Sequence, residues 1–288
     1  MQQIPPLIAR LSRSQTELSK SQRSLAEYIA GHTESVLTMT AKAVATACGV
    51  SESTVVRFAA ALGYEGYPEM RQALGELVRD ELTTEQRFRM TAALAGEDVL
   101  AEVLRSDAQN IRKTMESLSR ADFESAVERL LGARRVYVMG LRSAAPLALF
   151  MYHYLHQILE DVALVQNSLD DVFEEVARIG TEDVLVGISY PRYSTRTLEC
   201  MRFARQNGAQ VIALTDSELS PLKECSTVCL CAATDMTTFV DSLSAPLSVI
   251  NALAVSVGLH RSGHLQKHYN QLEGIWDAHR VYIGKNHE

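Results

Sequence analysis

The hydrophobic positions along this 288-residue chain change rhythm once, and that change divides it. Up to about residue 118, apolar residues recur three and four positions apart and β-branched runs are absent, the spacing of helices that bury one face. From Arg135 onward short apolar runs take over: Val136 to Met139, Val162 to Val165, Val184 to Ile188, Val211 to Leu214 and Val228 to Leu230. Five such runs with helical spacing between them predict a parallel sheet covered on both faces. The expectation is an all-α domain followed by an α/β domain with a five-stranded parallel sheet. Glu81 to Gly96 is polar and lies between the two textures, which places a hinge there. The expected domains are residues 1–80, a linker over 81–100, and a second domain over 101–288.

Within the helical part, Thr40 to Phe58 has the spacing of two short helices packed through a tight turn. Ala45 is small where the helices cross. Gly49 can take the positive φ of the turn, and Val44, Val50, Val55 and Phe58 are apolar where a shared core needs them. Ser51 caps the second helix and Gly63 ends it. Ser51, Glu52, Ser53, Val56 and Arg57 then point outward from the first turns of that helix, the part that enters a major groove in a helix-turn-helix. Arg57 can grip a guanine edge or a phosphate, and Ser51, Ser53 and Thr54 can donate to phosphates or bases. Glu52 is unfavourable near phosphates unless it accepts from a cytosine amino group. The competing reading is an ordinary helical hairpin with a solvated Arg57.

In the α/β part, two strand-to-helix junctions carry candidate chemistry. Val136 to Gly140 is followed by Leu141, Arg142 and Ser143, and Val184 to Ile188 by Ser189, Tyr190, Pro191, Arg192, Tyr193, Ser194 and Thr195. A strand that ends in small or hydroxyl residues before a helix surrounds an anion with backbone N–H groups, and the helix dipole favours phosphate. Two such junctions of one parallel sheet lie at the edge where open α/β folds bind ligands. The competing reading of Ser143 and Ser194 is a helix N-cap. Neither junction has Gly-x-Gly-x-x-Gly and no P-loop occurs, which disfavours a nucleotide site.

Hydrophobic residues at 47% and charged residues at 22% suit a chain that builds cores. The start carries Pro5, Pro6, Arg10 and Arg13 in place of an apolar leader, and no long uncharged apolar span follows, so a soluble, cytoplasmic protein is expected. The net charge of −7 is unevenly spread. Residues 1–80 hold eight Lys/Arg against eight Asp/Glu, and the remainder hold 20 against 27, so DNA contacts are expected from residues 1–80. Five cysteines suggest thiols in a reducing compartment. Cys229 and Cys231 alternate as two positions on one strand face do, and a metal site wants a fourth ligand and paired Cys-x-x-Cys spacing, so neither a metal nor a cofactor is expected.

Thr54-Val-Val-Arg-Phe58 followed by Leu62-Gly-Tyr-Glu-Gly-Tyr-Pro68 resembles the RpiR/MurR family of transcription regulators. The second half is similar to the sugar isomerase (SIS) domain that the family carries behind its DNA-binding domain, a flavodoxin-like three-layer fold. The resemblance implies a regulator of carbohydrate metabolism genes that binds operator DNA and a phosphorylated sugar. It also implies a phosphate-binding serine at Ser189, a helix-opening hydroxyl at Ser194, and a serine at Ser143 or one position later, where this chain has Ala144. The expected phosphosugar contacts are Gly140, Arg142, Ser143, Ser189, Arg192, Ser194 and Thr195. Two departures stand out. The family's Gly-x-Gly is here Gly140-Leu-Arg142, and its Ser-x-Ser-Gly is Ser189-Tyr-Pro-Arg192. Arg142 and Arg192 offer charge-assisted contacts instead.

The alternative is a sugar-phosphate isomerase, which needs a base such as Glu199, His260, His264 or His268 at the sugar carbon. A module that only oligomerises is disfavoured by the hydroxyl-lined junctions. Helix-turn-helix proteins read paired half-sites, so a homodimer or higher homo-oligomer is expected. Leu265, Tyr269, Leu272, Ile275 and Trp276 form an apolar stripe that serves either this contact or packing onto the sheet.

Overall fold

A computed structural model describes residues 19–78, 83–92, 98–166, 171–235 and 238–283. The chain forms two units, one of residues 1–106 with 235–242, the other of residues 107–234 with 243–288.

The first unit is helical: α1 (Lys20–Gly31), α2 (Thr33–Thr38), α3 (Ala41–Cys48), α4 (Glu52–Ala61), α5 (Tyr67–Val78) and α6 (Thr84–Ala92). Its core is drawn from the apolar faces of α1 to α5, including Leu25, Ile29, Val36, Val44, Val55, Phe58, Met70 and Leu74. Tyr67 ties this bundle together. Its hydroxyl donates to Val36 O at 3.1 Å and Met39 O at 3.0 Å, and burial pushes its pKa up to about 12. The Gly-Tyr-Pro of the family string is thus a packing device. The stretch expected as linker contains α6, while residues 81–82 and 93–97 of it lie outside the described residues. Helix α6 clasps the segment that follows the last strand in sequence: buried Arg87 Nη1 lies 2.9 Å from Asp241 Oδ1, Phe239 N donates to Thr91 Oγ1 at 2.8 Å, and Phe88 meets Phe239 edge-on.

Helix α7 (Val99–Ser117) contains the boundary between the units. The second unit continues with α8 (Arg120–Gly132), β1 (Val136–Gly140), a 3₁₀ turn at Arg142–Ala144, α9 (Ala145–Ile158), β2 (Val162–Val165), α10 (Val172–Glu175) and β3 (Val184–Ile188). Then come α11 (Thr195–Gln206), β4 (Gln210–Thr215), α12 (Pro221–Cys225), β5 (Val228–Cys231), α13 (Ser244–His260) and α14 (Ser262–His279). The five strands are all parallel, in the order β2-β1-β3-β4-β5. Side chains alternate between two cores. Val136, Val138, Val186, Ile212 and Leu230 pack under α8, α9 and α13, while Tyr137, Met139, Leu185, Val211 and Cys229 pack under α10, α11 and α12. This is the expected three-layer fold, with each fully buried large side chain contributing about 1.5–3 kcal/mol.

The N-terminal edge of the sheet is fixed by charge. Asp183, fully buried before β3, accepts both prongs of the Arg134 guanidinium at 2.9 and 2.7 Å and the Gly180 N–H at 2.9 Å. Burial opposes its charge, but the Arg134 and Gly180 hydrogen bonds outweigh burial and hold its pKa below the usual carboxylate value. Among the described residues no helix is long and apolar enough to cross a membrane.

Candidate functional site

Helices α3 and α4 are set by capping chemistry. Thr40 Oγ1 accepts from Ala43 N at 3.2 Å to start α3. Gly49, at φ +66°, ends it and directs Val50 N onto Ala45 O at 2.9 Å, the left-handed close of a helix. Ser51 stands in extended backbone and its Oγ accepts from Thr54 N at 3.3 Å, which opens α4. Ala45, Val44, Val55 and Phe58 are buried, and Val50 packs on the same core half-buried. Ser51, Glu52, Ser53, Val56 and Arg57 are exposed on the first turns of α4, with Thr54 half-buried beside them. The Ser51 hydroxyl lies 2.9 Å from Ser53 Oγ and 2.8 Å from Thr54 Oγ1, a row of hydroxyls at the positive end of the helix. Arg57 folds back so that Nε donates to Ser53 O at 3.3 Å. All six residues singled out from the sequence share one surface.

The two junctions of the second unit are neighbours. In the register of β1 and β3, Gly140 pairs with Ile188, so Leu141 to Ser143 leave the sheet beside Ser189 and Tyr190. With the order 2-1-3-4-5 this is the switch point between β1 and β3, where crossover connections diverge and leave a crevice. At the first junction a Cβ on Gly140 would stand 2.7 Å from Ala144 O and 3.0 Å from the Ala148 Cβ, so the backbone closes there only with glycine. Arg142 is at φ +56° and exposed, and Ser143 is exposed. Ser143 is not a cap: the N-cap of α9 is Ala144, which makes no side-chain capping bond.

At the second junction Ser189 is buried and its Oγ accepts from Ser194 N at 3.0 Å, closing the loop between them. Ser194 Oγ accepts from Thr197 N at 3.3 Å and caps α11, and Thr195 is exposed on its first turn. Arg192 is at φ +64° and exposed. Both arginines that depart from the family's glycines therefore keep the left-handed backbone that glycine adopts freely. A non-glycine residue there costs about 1–3 kcal/mol, a strain typical of functional loops.

The structure adds residues that the sequence reading passed over. Tyr193 Oη donates to Asp216 Oδ1 at 2.8 Å, which fastens the second junction to the end of β4. The buried hydroxyls of Tyr190 and Thr197 have no hydrogen-bond partner among the described residues, and burial raises the Tyr190 pKa far above its ordinary value. Nothing in their spacing announces either one. Of the candidate bases, Glu199 is exposed on α11, 3.8 Å from Arg196. His260 is exposed at the end of α13, bonded to Ser256 O, next to Arg261, which donates to Leu131 O in the last turn of α8, the helix that leads into β1. That is the edge of the sheet opposite the junctions. His268 lies on α14, and the His264 side chain lies outside the described residues.

A surface helix-turn-helix and a three-layer α/β domain with two polar strand-to-helix junctions at its switch point have the make-up of a ligand-sensing DNA-binding regulator. Residues 6–80 match the helix-turn-helix domain of the rpiR family and residues 129–256 match the SIS domain. The chain is 30% identical over 276 residues to the HTH-type transcriptional regulator HexR of Pseudomonas aeruginosa, covering 93% of this chain and 94% of that protein. It is 28% identical over 210 residues to an uncharacterized HTH-type transcriptional regulator of Haemophilus influenzae, covering 72% of this chain and 73% of that protein. The sugar isomerase domain of the RpiR transcription factor from Sphaerobacter thermophilus shares its fold at a TM-score of 0.59, with 23% identity over 62% of this chain and 99% of that one. The Vibrio vulnificus NanR protein complexed with ManNAc-6P does so at 0.57, with 20% identity over 96% of this chain and 100% of that one. The chain belongs to the RpiR family of transcription regulators.

Proposed function

We propose that this chain is a cytoplasmic, sugar-phosphate-responsive regulator of carbohydrate metabolism genes, that residues 1–80 make its DNA contacts, and that the crevice between the β1 and β3 junctions holds the effector. The observation that carries the effector reading is the pairing of Gly140 with Ile188, which brings two polar strand-to-helix junctions to one crevice. The phosphate is received by Ser143, Ser189, Ser194 and Thr195, by the N-terminus of α11, and by Arg142 and Arg192, with Gly140 allowing close approach. On the DNA side, Ser51, Ser53 and Thr54 meet phosphates and Arg57 reads a base edge, flanked by Glu52 and Val56.

The chain acts without catalysis in this reading. The isomerase alternative draws on Glu199, which pairs with Arg196, and on His260, which sits at the far edge of the sheet. Self-association is supported by an open apolar groove of about 620 Å³ among α9, α13 and α14, lined by Tyr154, Val255, Leu259, Leu265 and Tyr269. From the expected stripe, Leu265 packs against the sheet core, while Ile275 remains exposed.

A gel-shift titration and a turnover assay test the proposal together. Arg57→Ala should weaken operator binding by about 1–3 kcal/mol with phosphosugar binding intact. Unchanged operator affinity removes Arg57 from readout, and conversion of a sugar phosphate by the wild type favours the isomerase.

A further inference from the structure

Cys229 and Cys231 sit on the same side of β5, their sulfurs 3.8 Å apart, and both are free thiols. Cys spacing alone argues against a metal here. The fold, however, brings in Glu218 from the turn that leaves β4: its Oε1 lies 3.5 Å from Cys231 Sγ. All three side chains offer ligand atoms within 4.8 Å of one another. The geometry has a chemical meaning. Two thiolates about 2.3 Å from a tetrahedral zinc stand about 3.8 Å apart, and a thiolate and a carboxylate oxygen at about 2.0 Å stand about 3.5 Å apart. The other carboxylate oxygen of Glu218 is held by Lys223 Nζ at 2.8 Å, the kind of outer hydrogen bond that orients a metal-binding carboxylate.

We propose that Glu218, Cys229 and Cys231 bind a thiophilic divalent cation of the zinc class, with Lys223 fixing the carboxylate. On binding, each thiol releases its proton to solvent as a metal–sulfur bond forms, Glu218 supplies one oxygen, and water takes the fourth position. Two thiolates, a carboxylate and a dication leave one negative charge, which Lys223 neutralises. The ion ties the turn after β4 to the end of β5. That turn also carries Asp216, which accepts from Tyr193 of the second junction, so the cation stiffens the loop that closes on Ser189.

The test is titration of the reduced, metal-free full chain with Co(II), followed by Zn(II) in competition with a chromophoric chelator. One equivalent of Co(II) per chain should give a thiolate-to-cobalt charge-transfer band and the intense visible bands of a tetrahedral site, and Zn(II) should displace it. Cys229→Ser/Cys231→Ser should lose the band with unchanged circular dichroism. Glu218→Gln, at an exposed position, should keep the fold and weaken binding at least tenfold. Absence of the band in the wild type overturns the proposal. So does its persistence in the double variant, which would assign it to Cys48, Cys200 or Cys225, or unchanged affinity in Glu218→Gln, which decides alone if the double variant unfolds.

Discussion

The β1 and β3 junctions lie side by side in one sheet, yet they are built differently. The β3 junction is bonded within itself: Ser189 holds the Ser194 N–H, Ser194 caps α11, and Tyr193 reaches Asp216. These bonds hold its hydroxyls in place. The β1 junction has a tight 3₁₀ turn, an exposed Ser143 and no side-chain cap on α9. Its polar groups are less constrained, and Arg142 is its main charge. A shared feature makes the contrast informative: each junction carries an arginine in left-handed backbone. Preorganised hydroxyls therefore dominate one wall of the crevice and a strained cation dominates the other.

The largest effect on phosphosugar affinity should come from Ser189→Ala/Ser194→Ala, which strips the ordered wall. Each hydrogen bond to a charged group is worth about 1.5–3 kcal/mol, so calorimetry should show the dissociation constant rising at least tenfold. Operator affinity without effector should stay near wild type, and the effector's influence on DNA binding should vanish at concentrations that saturate the wild type. Wild-type phosphosugar affinity in this variant would move the pocket elsewhere.

Substituting each arginine by glycine sharpens the comparison, because glycine keeps the backbone and removes only the charge and the strain. Arg142→Gly should weaken phosphosugar binding by about tenfold, one charge-assisted bond, and Arg192→Gly by less, since Ser189 and Ser194 remain beside it. Thermal unfolding of both should stay near wild type or rise, as relief of about 1–3 kcal/mol of strain offsets the entropy of glycine. Equal losses of affinity would erase the distinction between the walls, and a large fall in melting temperature would show that the arginines are packed, not strained.

Asp183→Asn, at the other end of β3, should leave phosphosugar affinity unchanged while costing about 1–3 kcal/mol of stability near neutral pH. The folded pKa of Asp183 lies below its unfolded value. Its contribution is therefore present above about pH 4 and is lost as pH falls through the folded value. Stability of the wild type should drop across that acid window, and the difference from Asp183→Asn should shrink with it. A constant difference over the same range would remove this carboxylate from acid unfolding.

Much of this architecture is legible in the sequence because it is local. Strand periodicity places all five strands to within a residue at either end, since a chain buried on both faces must be apolar throughout. Caps and turn glycines mark α3 and α4 because a helix end must satisfy its own N–H and C=O groups. The five exposed residues of the helix-turn-helix, Ser51, Glu52, Ser53, Val56 and Arg57, follow from helical phase alone. For Ser143 a helix cap competes with the favoured pocket reading in the sequence, and the observed N-cap of α9 at Ala144 removes the cap.

What the sequence leaves open depends on contacts between distant segments. The replacement of family glycines by Arg142 and Arg192 is visible in the chain, but its meaning is not, because φ at those positions is imposed by the sheet edge and the helices that follow. The pairing of Arg87 with Asp241 joins residues 154 apart, and no periodicity encodes it. Glu218 meets Cys231 because β4 and β5 run parallel in register, from Ile212 with Val228 to Thr215 with Cys231. Sequence alone determined which segments are helix or strand and which side chains are polar at the strand ends. Tertiary structure decided which of those ends meet, because that choice is made by burying two faces of one sheet at once, and not by any residue's own preference.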